Sequence, residues 1–356
     1  MLRRTSLALA ALLTMGLVLT SCGLAAEKVK EDRDEAEPGS TVVLVTHDSF
    51  NLPKKLVRKF EKDTGLKLEI RQSGDAGELT SKLVLSQGDP LGDVAFGVDN
   101  TFATEALDND VFAEADVDLP ASAEDQRVEG AEDRLVPIDQ ASVCVNIDKV
   151  WFADHDLTPP TTLDDLTDPA YQDLFVVPGA LTSSPGLAFL LATVAAYGED
   201  GWQDYWSDLL DNGAKLTKGW EDAYFVDFTA GSKSGTRPIV LSYDTSPAFT
   251  VVKKSSETTT AALLDTCFRQ VEYAGVLENA ENPAGARELI EFLLSAEVQS
   301  VIPENMYVFP VDDQVELPAD WAKFAQQPTE PLEVSPSEIA EHRKDWQKEW
   351  RDITSR

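Results

Sequence analysis

Thr41-Val42-Val43-Leu44-Val45-Thr46-His47-Asp48-Ser49 decides the fold class of this chain. Its four consecutive aliphatic residues, with no polar alternation, suit a strand covered on both faces, as in a parallel sheet. The run stops at an imidazole, a carboxylate and a hydroxyl. Residues 52–63 follow, with Leu56, Val57 and Phe60 on one helical face and Gly65 as the stop. Residues 66–70 read as a second strand, and residues 77–87 as a second helix with Leu79, Leu83 and Val84 inward. Asp93-Val94-Ala95-Phe96-Gly97-Val98 is a third strand, ending in Asp99-Asn100. This βαβαβ alternation places the chain in the α/β class.

The same logic picks out the stretch Thr217 to Phe249. Thr217-Lys218-Gly219-Trp220 and Tyr224 open it; the strand-like Ile239-Val240-Leu241 then feeds Ser242-Tyr243-Asp244-Thr245-Ser246-Pro247. Polar groups at the carboxyl end of a strand stand where open α/β sheets hold ligands. Trp220, Tyr224 and Tyr243 as flat walls, with Asp244 as a negative charge, suit a flat cationic small molecule. Trp220 and Tyr224, four apart at helical spacing, equally suit a core position. Asp48, Asp99 and Asp244 each end a strand; any one serves as a turn residue, and the three together favour a cation-binding cleft.

Two long extended segments, 135–147 and 266–276, bracket a middle region with its own strands and helices. If they pair, the chain leaves one lobe, builds a second and returns. The expected division is lobe 1 over 41–138 and 272–320, lobe 2 over 139–271, and a charged helical tail over 321–356, docked through Trp346 and Trp350. Within the middle region Thr182-Ser183-Ser184-Pro185-Gly186 opens a helix over 187–197. Its hydroxyls and free N–H groups suit an anion or hydroxyl, while an N-cap role fits Ser183 or Ser184 equally well. Residues 303–310 read as a loop.

The first 21 residues are a targeting segment: Arg3 and Arg4, an apolar run over 7–19, then Leu19-Thr20-Ser21-Cys22. The pattern is that of a bacterial lipoprotein signal, making Cys22 the acylated first residue of an extracytoplasmic protein. Residues 22–40 form a charged, flexible tether. Cys144 and Cys267, both on strand-like runs, remain as an even pair in an oxidising compartment, which suggests a disulfide, with two separately buried thiols as the alternative. A formal charge of −33 argues against nucleic-acid binding.

Catalytic patterns are missing. His47-Asp48-Ser49 has the residue types of a hydrolytic relay, but consecutive side chains diverge. No G-x-S-x-G, phosphate-loop or dinucleotide glycine pattern occurs, and His47, His155 and His342 make no zinc motif. Binding without catalysis, metal or cofactor is the expectation.

Thr46-His47-Asp48-Ser49-Phe50, Gly97-Val98-Asp99-Asn100, Ser183-Ser184-Pro185-Gly186-Leu187, Thr217-Lys218-Gly219-Trp220, Ala223-Tyr224 and Leu241-Ser242-Tyr243-Asp244-Thr245-Ser246-Pro247-Ala248-Phe249 together resemble the thiamine-binding lipoproteins and periplasmic proteins that serve ABC importers. The resemblance covers Thr41 to about Val311. It implies a type II two-lobed periplasmic-binding-protein fold with two hinge strands, a monomer that captures thiamine or a thiamine phosphate between its lobes and delivers it to an ABC permease. It implies Trp220 and Tyr243 as ring walls, Tyr224 and Tyr307 as further aromatics, and Asp99 and Asn100 as polar contacts. Ser183 or Ser184 falls near the hydroxyethyl or phosphate end, with His47, Asp48, Ser49, Asp244, Thr245 and Ser246 completing the candidate set. The chain departs from its relatives at His47 and Phe249, where they carry tyrosine, and in lacking a tryptophan shortly after Phe50. Iron or another small cation is the alternative ligand, and a thiamine-degrading enzyme with a nucleophilic cysteine the alternative class.

Overall fold

The computed structural model describes residues 36–355 apart from 129, 132 and 254–256. The signal segment, Cys22 and the tether up to residue 35 lie outside the described residues. Twelve strands are present among them: β1 Thr41–Thr46, β2 Lys67–Gln72, β3 Val94–Asp99, β4 Val136–Asp148, β5 Phe175–Pro178, β6 Lys215–Thr217, β7 Ile239–Tyr243, β8 Val251–Val252, β9 Glu257–Thr258, β10 Thr260–Ala262, β11 Phe268–Val276 and β12 Phe309–Pro310. Eight of them run in the order β2-β1-β3-β11-β4-β7-β5-β6. β1 pairs in parallel with β2 and β3, and β5 with β6 and β7. Between these parallel ends lie the long antiparallel strands β4 and β11.

The β1–β3 end follows from its sequence. Val42 and Leu44 of β1 enter one core with Phe60, Phe96, Leu289 and Ile290, while Val45 enters the other with Leu79, Leu83 and Phe102. A strand buried on both faces cannot alternate with polar residues, hence the unbroken apolar run. The helix Lys54–Thr64 buries Leu56 and Phe60 and stops at Gly65, whose φ of 76° lets its N–H reach the Glu61 carbonyl. The helix Ala76–Leu85 starts at Asp75, whose carboxylate accepts the Ala76 N–H.

At the other end, the helix Ser184–Tyr197 is buried over its first eleven residues and packs beneath β4, β7 and β11. Gly186 is required there: a Cβ would meet the Gly179 carbonyl oxygen at 2.5 Å. The larger core runs without a break from Leu79 and Phe102 through Val143 and Leu241 to Trp202 and Trp206.

β4 and β11 are the two hinge strands of this two-lobed α/β architecture. Their register sets Phe268 opposite Val143, Gln270 opposite Ala141 and Glu272 opposite Asp139, with a bulge between Glu272 and Tyr273. Just beyond that pairing, Cys144 and Cys267 form a disulfide with Cα atoms 4.2 Å apart. The open alternative of two separate thiols is thereby resolved. In the loop-entropy picture, closing 123 residues of chain contributes about 3–5 kcal/mol.

The C-terminal helix Pro336–Thr354 begins with a Ser335/Glu338 capping box and buries Ile339, Arg343, Trp346, Trp350 and Ile353. Trp350 meets Trp206 edge-on at 5.5 Å, the Trp346 indole donates to Glu199, and Arg343 pairs with Glu105 of the helix Ala103–Asp108. Residues 303–310 are only partly the expected loop. Ile302–Met306 is a short helix, ended by Tyr307 in the left-handed region at φ 66°. No described helix is long and apolar enough to cross a membrane.

Candidate functional site

The aromatic residues converge. Trp220 stacks on Tyr224 with ring centroids 5.3 Å apart and lies 5.8 Å from Tyr243 and 6.3 Å from Tyr307. Trp220 and Tyr224 are not on an ordinary α-helix. Residues Asp222–Asp227 form a wider π-helical turn, which presents Tyr224 to Trp220 while Phe228 anchors the turn in the core.

Hydroxyls fix the orientation of these rings. The Trp220 indole N–H donates to Ser242 Oγ at 2.9 Å, Ser242 and Ser246 share a hydrogen bond of 2.7 Å, and Ser246 Oγ accepts the Tyr243 N–H. Thr245 Oγ1 donates to the Tyr307 carbonyl at 2.6 Å. An aromatic residue at positive φ is uncommon and costs roughly 1 kcal/mol or more, so this bond and the edge-on Phe249 ring, 4.3 Å away, hold a strained backbone that presents Tyr307.

Carboxylates approach the same place from the β1–β3 end and the hinge. Asp75 accepts the Trp220 N–H at 3.0 Å and the Ala76 N–H at 2.7 Å, joining the start of one helix to the ring-bearing segment. Burial raises its pKa against these hydrogen bonds. Asp99, fully buried, accepts from Ser184 Oγ at 2.6 Å, from Thr101 Oγ1 at 2.7 Å and from two backbone N–H groups. Burial pushes it up to about 6, and those donors offset part of the rise. Asp139 and Glu272 face each other in register, buried, and both are raised, first by desolvation. His47 Nε2 lies 3.5 Å from Glu272 Oε1. Burial lowers the imidazole to about 4, so it stands neutral at pH 7 and offers the carboxyls no positive charge. The ring is accommodated because residue 97 is glycine: a Cβ there would meet His47 Cδ2 at 2.1 Å. Such a cluster, acidic, desolvated and bordered by rings, favours a cation.

The remaining candidate residues are distributed around this centre. Ser184 bridges to Asp99, and the Ser183 hydroxyl is fully buried with no hydrogen-bond partner among the described residues. Asp48 and Ser49 stand at the outer lip, where Asp48 accepts the Gly74 N–H and Ser49 donates to Glu221 at 3.4 Å. They line a cavity of about 170 Å³ with Asp75, Glu78, Lys218, Gly219, Glu221 and Asp222. Asn100 spends its amide on the hinge strand, donating to the Arg269 carbonyl and accepting the Val271 N–H. Asp244 lines a separate cavity of about 260 Å³ beside Lys149, Thr258 and Thr260. Asp75, Asp139 and Glu272 are joined to the site by the structure and lie outside the sequence-based candidate set. Asp75 carried a signal, a carboxylate at the N-cap after Ser73-Gly74. Asp139 and Glu272 look like isolated acids in apolar strands until the register sets them face to face.

A family model described as bacterial extracellular solute-binding protein matches residues 89–328. The chain is 30% identical over 328 residues to the thiamine-binding periplasmic protein of Escherichia coli K12, covering 90% of this chain and 95% of that one. It is likewise 30% identical to the protein of the same name from Salmonella typhimurium, with the same coverage. A solved structure titled periplasmic thiamin binding protein superposes with a TM-score of 0.77 at 28% identity, covering 89% of this chain and 96% of that one.

Proposed function

The chain belongs to the bacterial extracellular solute-binding protein family, and from that premise we propose that it captures thiamine, or a thiamine phosphate, outside the cytoplasm and delivers it to an ABC permease. The observation that carries the ligand is the pairing of rings with buried carboxylates around Trp220 and Tyr243. A flat cationic ring gains from both at once: cation–π attraction adds about 2 kcal/mol when desolvated, and an anionic wall opposes its charge at low dielectric. Trp220, Tyr224, Tyr243 and Tyr307 supply ring contacts in this reading. Asp75, Asp99 and His47 supply polar ones, and Ser183, Ser184, Asp48 and Ser49 reach toward the hydroxyethyl or phosphate end. Asn100, Thr245 and Ser246 act by positioning.

Binding proceeds by closure. Residues 41–138 and 272–320 form one lobe, 139–271 the other, and the C-terminal segment from 321 is a docked tail. The ligand settles on one lobe, and rotation about β4 and β11 brings the second over it. Asp75 to Trp220, Ser184 to Asp99, and the 3.0 Å pair between Lys218 and Glu78 are the contacts that this rotation makes. No bond is made or broken in the ligand. A cysteine nucleophile would have to come from outside the disulfide that joins Cys144 and Cys267. Acylated Cys22 tethers the protein to the membrane; loss of detergent partitioning in Cys22→Ala tests that part.

The deciding experiment is calorimetric titration of thiamine into the full chain purified in detergent. Single-site binding at submicromolar affinity is the expected result, and no detectable heat or fluorescence change would discard thiamine.

A further inference from the structure

The two hinge strands place carboxyl against carboxyl at one point only in their register, Glu272 opposite Asp139. Asp139 is fully buried, and neither of its carboxylate oxygens has a hydrogen-bond donor among the described residues. Glu272 is buried beside it, with His47 Nε2 3.5 Å from its Oε1. The charged groups that act on Glu272 are Asp139, Asp99 and Asp75, all acidic, and β12 sets the apolar Pro310 opposite Asp139. His47, uncharged at neutral pH, follows β1; β3 ends in Asp99; Asp75 caps the helix Ala76–Leu85; β7 contributes the Tyr243 phenol. Arg269, on β11 itself, gives its guanidinium to Gln140 Oε1 at 2.8 Å, and Asp244 feels its charge.

Two ionised carboxylates in contact in such surroundings are not sustainable, because each is denied water and repels the other. A proton between them converts the repulsion into a hydrogen bond, Glu272 donating and Asp139 accepting. A cation entering the pocket achieves the same relief by other means, and the proton is then no longer needed.

We propose that Asp139 and Glu272 hold one shared proton while the site is empty and release it to solvent when a cationic ligand enters, so that capture is an exchange of cation for proton. This rests on the thiamine reading above. The balance is simple: the O–H bond of the Glu272 carboxyl breaks, the proton passes to buffer, and the ligand's positive charge takes its place. The burial that raises both groups supports this ordering, since Asp139 is pushed up to about 7 and Glu272 higher still. Asp99 is a less suitable source at neutral pH, because four donors hold it as the anion. The consequence is regulatory. Acidification of the extracytoplasmic space refills the pair and favours ligand release.

The test is titration of thiamine into the full chain near pH 7, in phosphate and in Tris, which differ widely in ionisation enthalpy. The expected result is an apparent heat that depends on buffer, corresponding to release of roughly one proton per thiamine, and affinity that rises about tenfold per pH unit while the pair titrates. Glu272→Gln should remove the buffer dependence and flatten the pH profile; Asp139→Asn is the second variant if the first does not fold. Thiamine binding with a buffer-independent heat in the native protein overturns the exchange and leaves the thiamine reading standing. Release that persists undiminished in both variants overturns its assignment to this pair. No binding at all removes the thiamine reading and this inference with it.

Discussion

The two walls of the pocket are built from different chemistry. The end of the sheet that carries β1, β2 and β3, together with the hinge, supplies carboxyls: Asp75, Asp99, Asp139 and Glu272. The end that carries β5, β6 and β7 supplies the rings Trp220, Tyr224 and Tyr243, fixed through Ser242 and Ser246. In the ring wall the Trp220 indole, Ser242 and Ser246 satisfy one another, and the Tyr224 phenol oxygen is buried without a partner among the described residues. In the acid wall burial raises all four carboxyls. A specific cation site on a closing scaffold benefits from this division. In the proposed binding mode, shape selection resides in one wall and charge in the other, and closure completes both.

Removing the rings should break that division most severely. Trp220→Ala combined with Tyr243→Ala should weaken thiamine binding by about 1,000-fold, on the order of 4 kcal/mol, as two stacking faces are lost. Calorimetry reads it, and native affinity in the double variant would remove the rings from the site. Cutting the hinge link should act on stability and spare both walls. Cys144→Ala with Cys267→Ala should cost about 3 kcal/mol in a denaturant titration while thiamine affinity changes by less than a few-fold; a large affinity loss would show that the disulfide sets the pocket geometry.

On the acid wall, Asp75→Asn retains size and an acceptor oxygen but removes the charge. It should weaken binding about tenfold, or 1–2 kcal/mol, and do so mainly through faster dissociation, because the contact to the Trp220 N–H forms across the closed cleft. Stopped-flow release rates would distinguish this from a slower association. The smallest effect is the pH dependence of the empty protein. Asp139 and Asp244 are raised to about 7 from 3.8 by burial, and Glu272 is raised well above its usual value, so the folded state binds more protons than the unfolded chain below that range. Their contribution is present in full below the unfolded pKa and is lost as pH rises through the folded one. His47, lowered to about 4 from 6.5, runs the other way and withdraws stability only as pH falls below about 6.5. The melting temperature of the ligand-free protein should therefore rise by a few degrees between about pH 8 and pH 6.5. A flat or falling profile over that interval would mean that the acid wall is hydrated rather than desolvated.

Local chemistry made much of this legible. Val42 to Val45 announces a doubly covered strand because a parallel sheet buries both faces of its strands. The two long extended segments and their cysteines foretell paired hinge strands, because a disulfide needs Cα atoms within about 7 Å. Trp220, Tyr243 and Tyr307 stand out as aromatics beside strand ends and turns. Asp244 shows what such reading leaves open. It stands at a strand's carboxyl end next to Tyr243, yet it lines a different cavity, because successive side chains leave a strand on opposite sides.

The sequence by itself determined the α/β class, the hinge segments and the cluster of rings, since periodicity, strand-end chemistry and cysteine pairing are local properties. Only the tertiary structure decided which acids form the charged wall. Asp139 and Glu272 lie 133 positions apart and look alike to any buried or solvated acid until pairing sets them opposite each other. Asp75 meets the Trp220 N–H, 145 positions away, only through tertiary packing. The physical reason is that a carboxyl's role depends on its dielectric surroundings and on the charges within a few ångströms, and both are fixed by strand register and lobe closure rather than by neighbours in the chain.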